Sequence, residues 1–130
     1  MMTYCIVVSD QKPRRYYEEA AREYEKRLGR FCKVRRAGAA DAIGKRDFVI
    51  NISTAGRRIS SEEMADRLSA IESRGDISRV IFIFAAGKNE RVDETWALAS
   101  IETPVDFQAV LLLEQIYRSR KIMRNEPYHK

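Results

Sequence analysis

RVIFIF, residues Arg79–Phe84, is the stretch on which the fold turns. Five consecutive apolar residues, all β-branched or aromatic, leave neither face of this strand polar. A strand buried on both faces belongs in the interior of a parallel sheet, whereas a half-solvated antiparallel strand alternates. Upstream, Ser60 and Glu63 stand at capping-box spacing. Met64, Leu68 and Ile71 then recur on one helical face until Gly75. Before that helix lies DFVINIS (Asp47–Ser53), a second mostly apolar strand, followed by Ala55-Gly56 as a turn. Strand, helix, strand in this order is a parallel crossover unit.

The same alternation extends both ways. TYCIVVS (Thr3–Ser9) reads as the first strand, and its short apolar run lacks the basic leader and cleavage site of a signal peptide. Pro13 suits a helix start. Tyr17, Ala20, Ala21, Tyr24 and Leu28 then keep helical spacing up to Gly29. Phe31–Arg36 is a short strand, and residues 37–46 form a small-residue connector. Beyond RVIFIF, Val92–Leu98 is expected as a short helix around Trp96. Phe107–Met123 is the last helix, with Val110, Leu113, Ile116 and Tyr117 facing the core. The expectation is one α/β domain over residues 1–130, with a mostly parallel sheet and helices on both faces.

Composition fits that class. Of 130 residues, 45% are hydrophobic and 33% charged, and no apolar run approaches the roughly 18 residues of a bilayer span. Two cysteines, Cys5 and Cys32, and a single histidine are too few for a zinc site or a disulfide framework. A net charge of +5 points toward an acidic partner, of which nucleic acid is the commonest. In parallel sheets ligands bind beyond the carboxyl ends of the strands, here at 53–56, 85–88 and 100–104. Ala85-Ala86-Gly87 is not a phosphate loop of either glycine-rich pattern, yet its small residues let a flat ligand approach the backbone.

Three blocks carry a resemblance. LLEQIYRSRKIMRNEPYHK (Leu112–Lys130) is similar, nearly residue for residue, to the end of the ribosomal-RNA methyltransferases that modify pseudouridine in the large subunit. YYEEAAREYEKRLGRFCKV (Tyr16–Val34) resembles that family's first helix and second strand. FVINISTAGRRISSEEMADRL (Phe48–Leu68) resembles its central strand, turn and next helix. The family is of the SPOUT class. The resemblance therefore implies a C-terminal trefoil knot around an S-adenosyl-L-methionine site, which sequence physics would not propose because threaded chains are rare. It further implies a cytoplasmic homodimer, with one subunit's tail completing the other's site. The implied reaction is methylation of N3 of a pseudouridine in 23S ribosomal RNA, on the assembled ribosome.

Carried over by position, the cofactor loops fall on Ile52, on Ala85, and on Leu98, Ala99, Ser100, Ile101, Glu102 and Thr103, ahead of Pro104. Three departures stand out. The family's histidine after that proline is Val105 here, its arginine early in the last helix is Ala109, and its Gly-Gly strand exit is Ala85-Ala86. The connector 37–46 and the segment between Lys88 and Trp96 are also shorter than the family's. On the substrate side, Tyr128, His129 and Arg118 are the expected catalytic residues. His129 is the one side chain that titrates near neutrality, and Tyr128 suits stacking on a flipped base. Two readings follow: an S-adenosylmethionine-dependent rRNA methyltransferase, or a degenerate homologue that binds RNA or ribosomes without turnover.

Overall fold

A computed structural model describes residues 2–8, 13–38, 43–88 and 90–126. Five strands, β1 (Thr3–Val7), β2 (Lys33–Ala37), β3 (Asp47–Arg58), β4 (Arg79–Phe84) and β5 (Glu94–Ala97), are joined by three helices. These are α1 (Arg15–Leu28), α2 (Ser61–Ser73) and α3 (Val105–Met123). The sheet order is β2-β1-β4-β3-β5 and every pairing is parallel. RVIFIF is thus the central strand. Val80, Ile81 and Phe82 are wholly buried, as residues with apolar neighbours on both faces must be.

The expectation of helices on both faces is corrected. Tyr4, Ile6, Ile50, Val80 and Phe82 share one core with Leu28 of α1, Met64 and Leu68 of α2, and Leu112 and Ile116 of α3. The other face, Cys5, Val49, Ile81 and Ile83, meets Ile43, Ala86 and Val92 instead, and no helix residue among the described residues. The cause is the direction of each crossover. β1–α1–β2 and β3–α2–β4 step the same way across the sheet, so right-handed connections put both helices on one side. The opposite steps, β2 to β3 and β4 to β5, run through 38–46 and 85–93, where no helix occurs among the described residues.

Locally, the capping box of α2 is present: Ser60 accepts from the Glu63 amide, and the Glu63 carboxylate accepts from Ser60. α1 starts at Arg15, two residues beyond Pro13. Two further expectations are corrected. Val92–Leu98 holds β5 rather than a helix, because Thr95 and Trp96 favour extended backbone and pair with Asn51 and Ile52. Ala55-Gly56 is no chain-reversing turn: β3 continues to Arg58, with an irregularity between Ile52 and Arg57, both of which pair with Trp96. Gly56 is required there. A Cβ on it would lie 2.7 Å from Thr95 Cγ2 and 2.9 Å from the Thr95 carbonyl carbon.

The far end of α3 is pinned at the start of the sheet. Arg120 donates to the Tyr4 hydroxyl (2.6 Å) and pairs with Glu72 (2.7 Å), while Tyr4 donates to Glu72 (2.6 Å). α3 therefore runs from the carboxyl ends of the strands to their amino ends. Cys5 and Cys32 are buried on opposite faces of the sheet. No described helix is long and apolar enough to cross a membrane.

Candidate active site

The carboxyl ends of β3 and β4, the segment after β5 and the first turns of α3 converge on one cleft. Its volume is about 200 Å³, and Ile52, Ser53, Thr54, Phe84, Ala85, Glu102, Thr103, Val105 and Gln108 line it. A narrower hollow adjoins it, sharing Ile52 and Thr103 and adding Leu98, Ala99 and Ile101. Seven of the eight expected cofactor positions therefore meet at one place. The eighth, Ser100, is exposed, and its Oγ accepts from Arg58 at 2.8 Å, which ties the loop to the end of β3.

The backbone of this cleft is held by groups that sequence reasoning did not single out. The Ala85 amide donates to the Ile52 carbonyl at 3.0 Å, and the Ala86 amide donates to Asn51 Oδ1 at 2.9 Å. Asn51 is a buried amide inside an otherwise apolar strand, and a buried polar group of that kind needs a partner. Its isolation within FVINIS was the available signal. Gln108 donates from Nε2 to the Thr103 carbonyl at 2.5 Å, fixing the entry to α3. Ala85 itself has φ 48, the left-handed region that favours glycine.

Charge is arranged at the rim. Glu102 brings a carboxylate to the cleft. Beyond Val105, Asp106 receives the Arg14 guanidinium at 2.9 Å and caps the Phe107 amide at 2.9 Å. The Arg14 hydrogen bond holds the Asp106 carboxyl well below the usual carboxylate range, so it stays ionised at the positive end of α3. The cleft thus combines apolar walls, Ile52, Phe84 and Val105, with one acidic group, Glu102.

A family model described as "Predicted SPOUT methyltransferase" matches residues 1–129. The chain belongs to the SPOUT methyltransferase family. Among similar proteins is the ribosomal RNA large subunit methyltransferase H 1 of Thermoanaerobacter sp. strain X514. It is 30% identical, with 99% of this chain and 100% of the relative covered. The ribosomal RNA large subunit methyltransferase H of Bifidobacterium adolescentis is 29% identical with the same coverages. That of Leuconostoc mesenteroides is 29% identical over 89% of this chain and 92% of its own length.

Of the three expected substrate-side residues of this SPOUT chain, Arg118 lies among the described residues, and it does not line this cleft. Arg118 lies more than two turns along α3 from Gln108 and is ion-paired with Glu114. It lines a separate hollow of about 430 Å³ with Arg58, Ser60, Ser61 and Gln115, which Leu98 joins to the cofactor side. Tyr128 and His129 fall outside the described residues. Ala109, at the position of the family's arginine, is buried against the sheet, and Val105 is half-buried at the cleft wall.

Proposed function

We propose that this SPOUT protein is an S-adenosylmethionine-dependent methyltransferase acting on N3 of a pseudouridine in large-subunit ribosomal RNA. The observation that carries the reading is the convergence of Ile52, Ala85 and the 98–103 segment on one cleft at the carboxyl ends of the strands. The names of the relatives, all ribosomal RNA large subunit methyltransferases, support the substrate class. Ile52 and Leu98 would wall the adenine, and the Glu102 carboxylate would face the cationic methionine portion. When bound, S-adenosylmethionine supplies an electrophilic methyl carbon. The cleft's work is to hold that carbon in line with the ring nitrogen and to keep water out. His129 would take the N3 proton, and Tyr128 would stack on the extruded base. The C-terminal segment entering the knot of this class would be Leu98–Arg124, with the protein in the cytoplasm beside its ribosomal substrate.

The tail acts on a partner subunit in this reading. At 1.5 Å per residue, Gln108 and Arg124 are separated by about 24 Å of helix. The five residues from Arg124 to His129 span at most roughly 18 Å when extended. A tail of that reach leaves the far end of its own chain's cleft at the limit of its span, and in this reading His129 completes the cleft of a second copy. The cleft, at about 200 Å³, is also smaller than the roughly 300–1,000 Å³ of an enclosed small-molecule site. A homodimer supplies the missing wall, and light scattering at micromolar concentration should show one. A strictly monomeric protein would contradict the shared site.

A second reading, a homologue that binds ribosomal RNA without turnover, is favoured by the buried methyl of Ala109 and by the alanine at the left-handed position 85. Calorimetric titration separates them. The enzyme should bind S-adenosylmethionine and S-adenosylhomocysteine in the micromolar range. No heat of binding at millimolar ligand would leave only the second.

A further inference from the structure

Where α1 and α3 end, side by side, cations are laid over aromatic rings. The Arg27 guanidinium sits 5.5 Å from the Tyr24 ring centre and 6.0 Å from that of Tyr117. Arg30 and Arg124 both lie over Phe31, at 4.4 and 5.3 Å, and Lys121 lies 5.7 Å from Tyr117. The rings are half-buried and packed against the main core, whereas Arg27, Arg30 and Arg124 each keep about half of their side chain in solvent. Two carboxylates share the patch. Glu23 pairs with Arg27 at 3.2 Å, and Glu126 accepts from Arg30 at 2.7 Å with Lys121 at 3.4 Å and Arg124 at 3.9 Å. The balance stays positive.

We infer that this aromatic-backed patch is the surface on which the protein holds the phosphate backbone of its RNA. The chemistry fits a polyanion with exposed bases. A guanidinium stacked on a ring has lost much of its rotational freedom, so its donor edges reach a phosphate already oriented. Phosphate contacts made by cations held in this way are independent of base sequence, as backbone recognition requires. Position fits as well, and here the inference rests on the methyltransferase reading above. The patch lies where α3 ends, at the base of the tail that carries Tyr128 and His129. RNA gripped there would be presented to the partner subunit's cleft, where that tail acts.

The test uses the full chain and a fluorescein-labelled RNA stem-loop with an unpaired loop, titrated across a range of salt. A variant carrying Arg27→Gln, Arg30→Gln and Arg124→Gln should bind at least about tenfold more weakly, and its salt slope should fall by roughly three, one per cation. Its affinity for S-adenosylhomocysteine, read by calorimetry on the same sample, should be unchanged. Unaltered RNA affinity and salt slope would overturn the assignment. So would conversion to a monomer by light scattering, which would make this face a contact between copies. If the triple variant fails to fold, single Arg27→Gln and Arg124→Gln changes carry the same test, each lowering the slope by about one. Failure of the wild-type chain to bind S-adenosylhomocysteine would defeat the enzyme reading, and the RNA titration would still decide the patch.

Discussion

Ala85 occupies a backbone conformation that an L side chain reaches only at a penalty of about 1–2 kcal/mol. Nothing local asks for it. The geometry is imposed by the hydrogen bonds that the Ala85 and Ala86 amides donate to the Ile52 carbonyl and Asn51 Oδ1, which hold the end of β4 at the cleft. Ala85→Gly should therefore raise stability by about 0.5–1 kcal/mol, visible as a higher melting temperature, and should tighten cofactor binding by removing a methyl from the cleft. A lower melting temperature would show that the left-handed turn is not strained. The charged residues add a second test. Glu18 is held down to about 2, chiefly by its hydrogen bond from Arg36 and also by Arg22, and Asp47 is lowered chiefly by Arg79. A carboxylate depressed in the folded state stabilises it fully above its unfolded value and loses that contribution as pH falls. Melting temperature should thus drop between about pH 5 and pH 2, and Glu18→Gln should flatten part of that slope. An unchanged slope would remove Glu18 from the acid response. At this scale the sequence spoke unevenly. Ile52 and the 98–103 loop came from resemblance, not from periodicity, while the work of Asn51 depends on its register against β4, which no local pattern contains.

Among the elements, β3 does two things along one strand. Its first half, Asp47–Ile52, fills the sheet, and its end, Arg57–Arg58, rejoins β5 after the irregularity at 53–56. Gly56 allows this because the strand passes against the Thr95 backbone with no room for a Cβ. Gly56→Ala should cost about 1–3 kcal/mol, since a backbone and not a flexible side chain must give way. It should also weaken cofactor binding, because β5 leads straight into Leu98–Thr103. Equal melting temperature and equal affinity by calorimetry would contradict that coupling. Elements buried on both faces, such as Val80–Ile83, were readable from composition alone. β5 was not: it has four residues, two of them polar, and its partners lie 39 to 44 residues earlier in the chain. Nor was the one-sided placement of the helices, which follows from strand order and from two crossovers too short to carry a helix of their own. A helical period predicts a helix, but the direction of each step across the sheet decides which face it covers.

At the scale of the molecule the two ends of α3 divide the labour. Its first turns wall the cleft, and its last turns, pinned by Arg120 to Tyr4 and Glu72, end at the amino ends of the strands. In the proposed reading the tail of one copy acts at the cleft of a second, so that two copies complete each other's sites. The net charge of +5 suits a ribosomal substrate, and the patch of Arg27, Arg30 and Arg124 gives part of that charge a place. The most direct test of the whole account is transfer of a tritiated methyl group from S-adenosylmethionine to large-subunit RNA in ribosomes that lack the modification. The wild-type protein should label a single pseudouridine, and His129→Ala should abolish the label while leaving S-adenosylhomocysteine binding intact. No label from wild-type protein that binds the cofactor and the ribosome would contradict the enzyme and leave a binding protein in a methyltransferase fold.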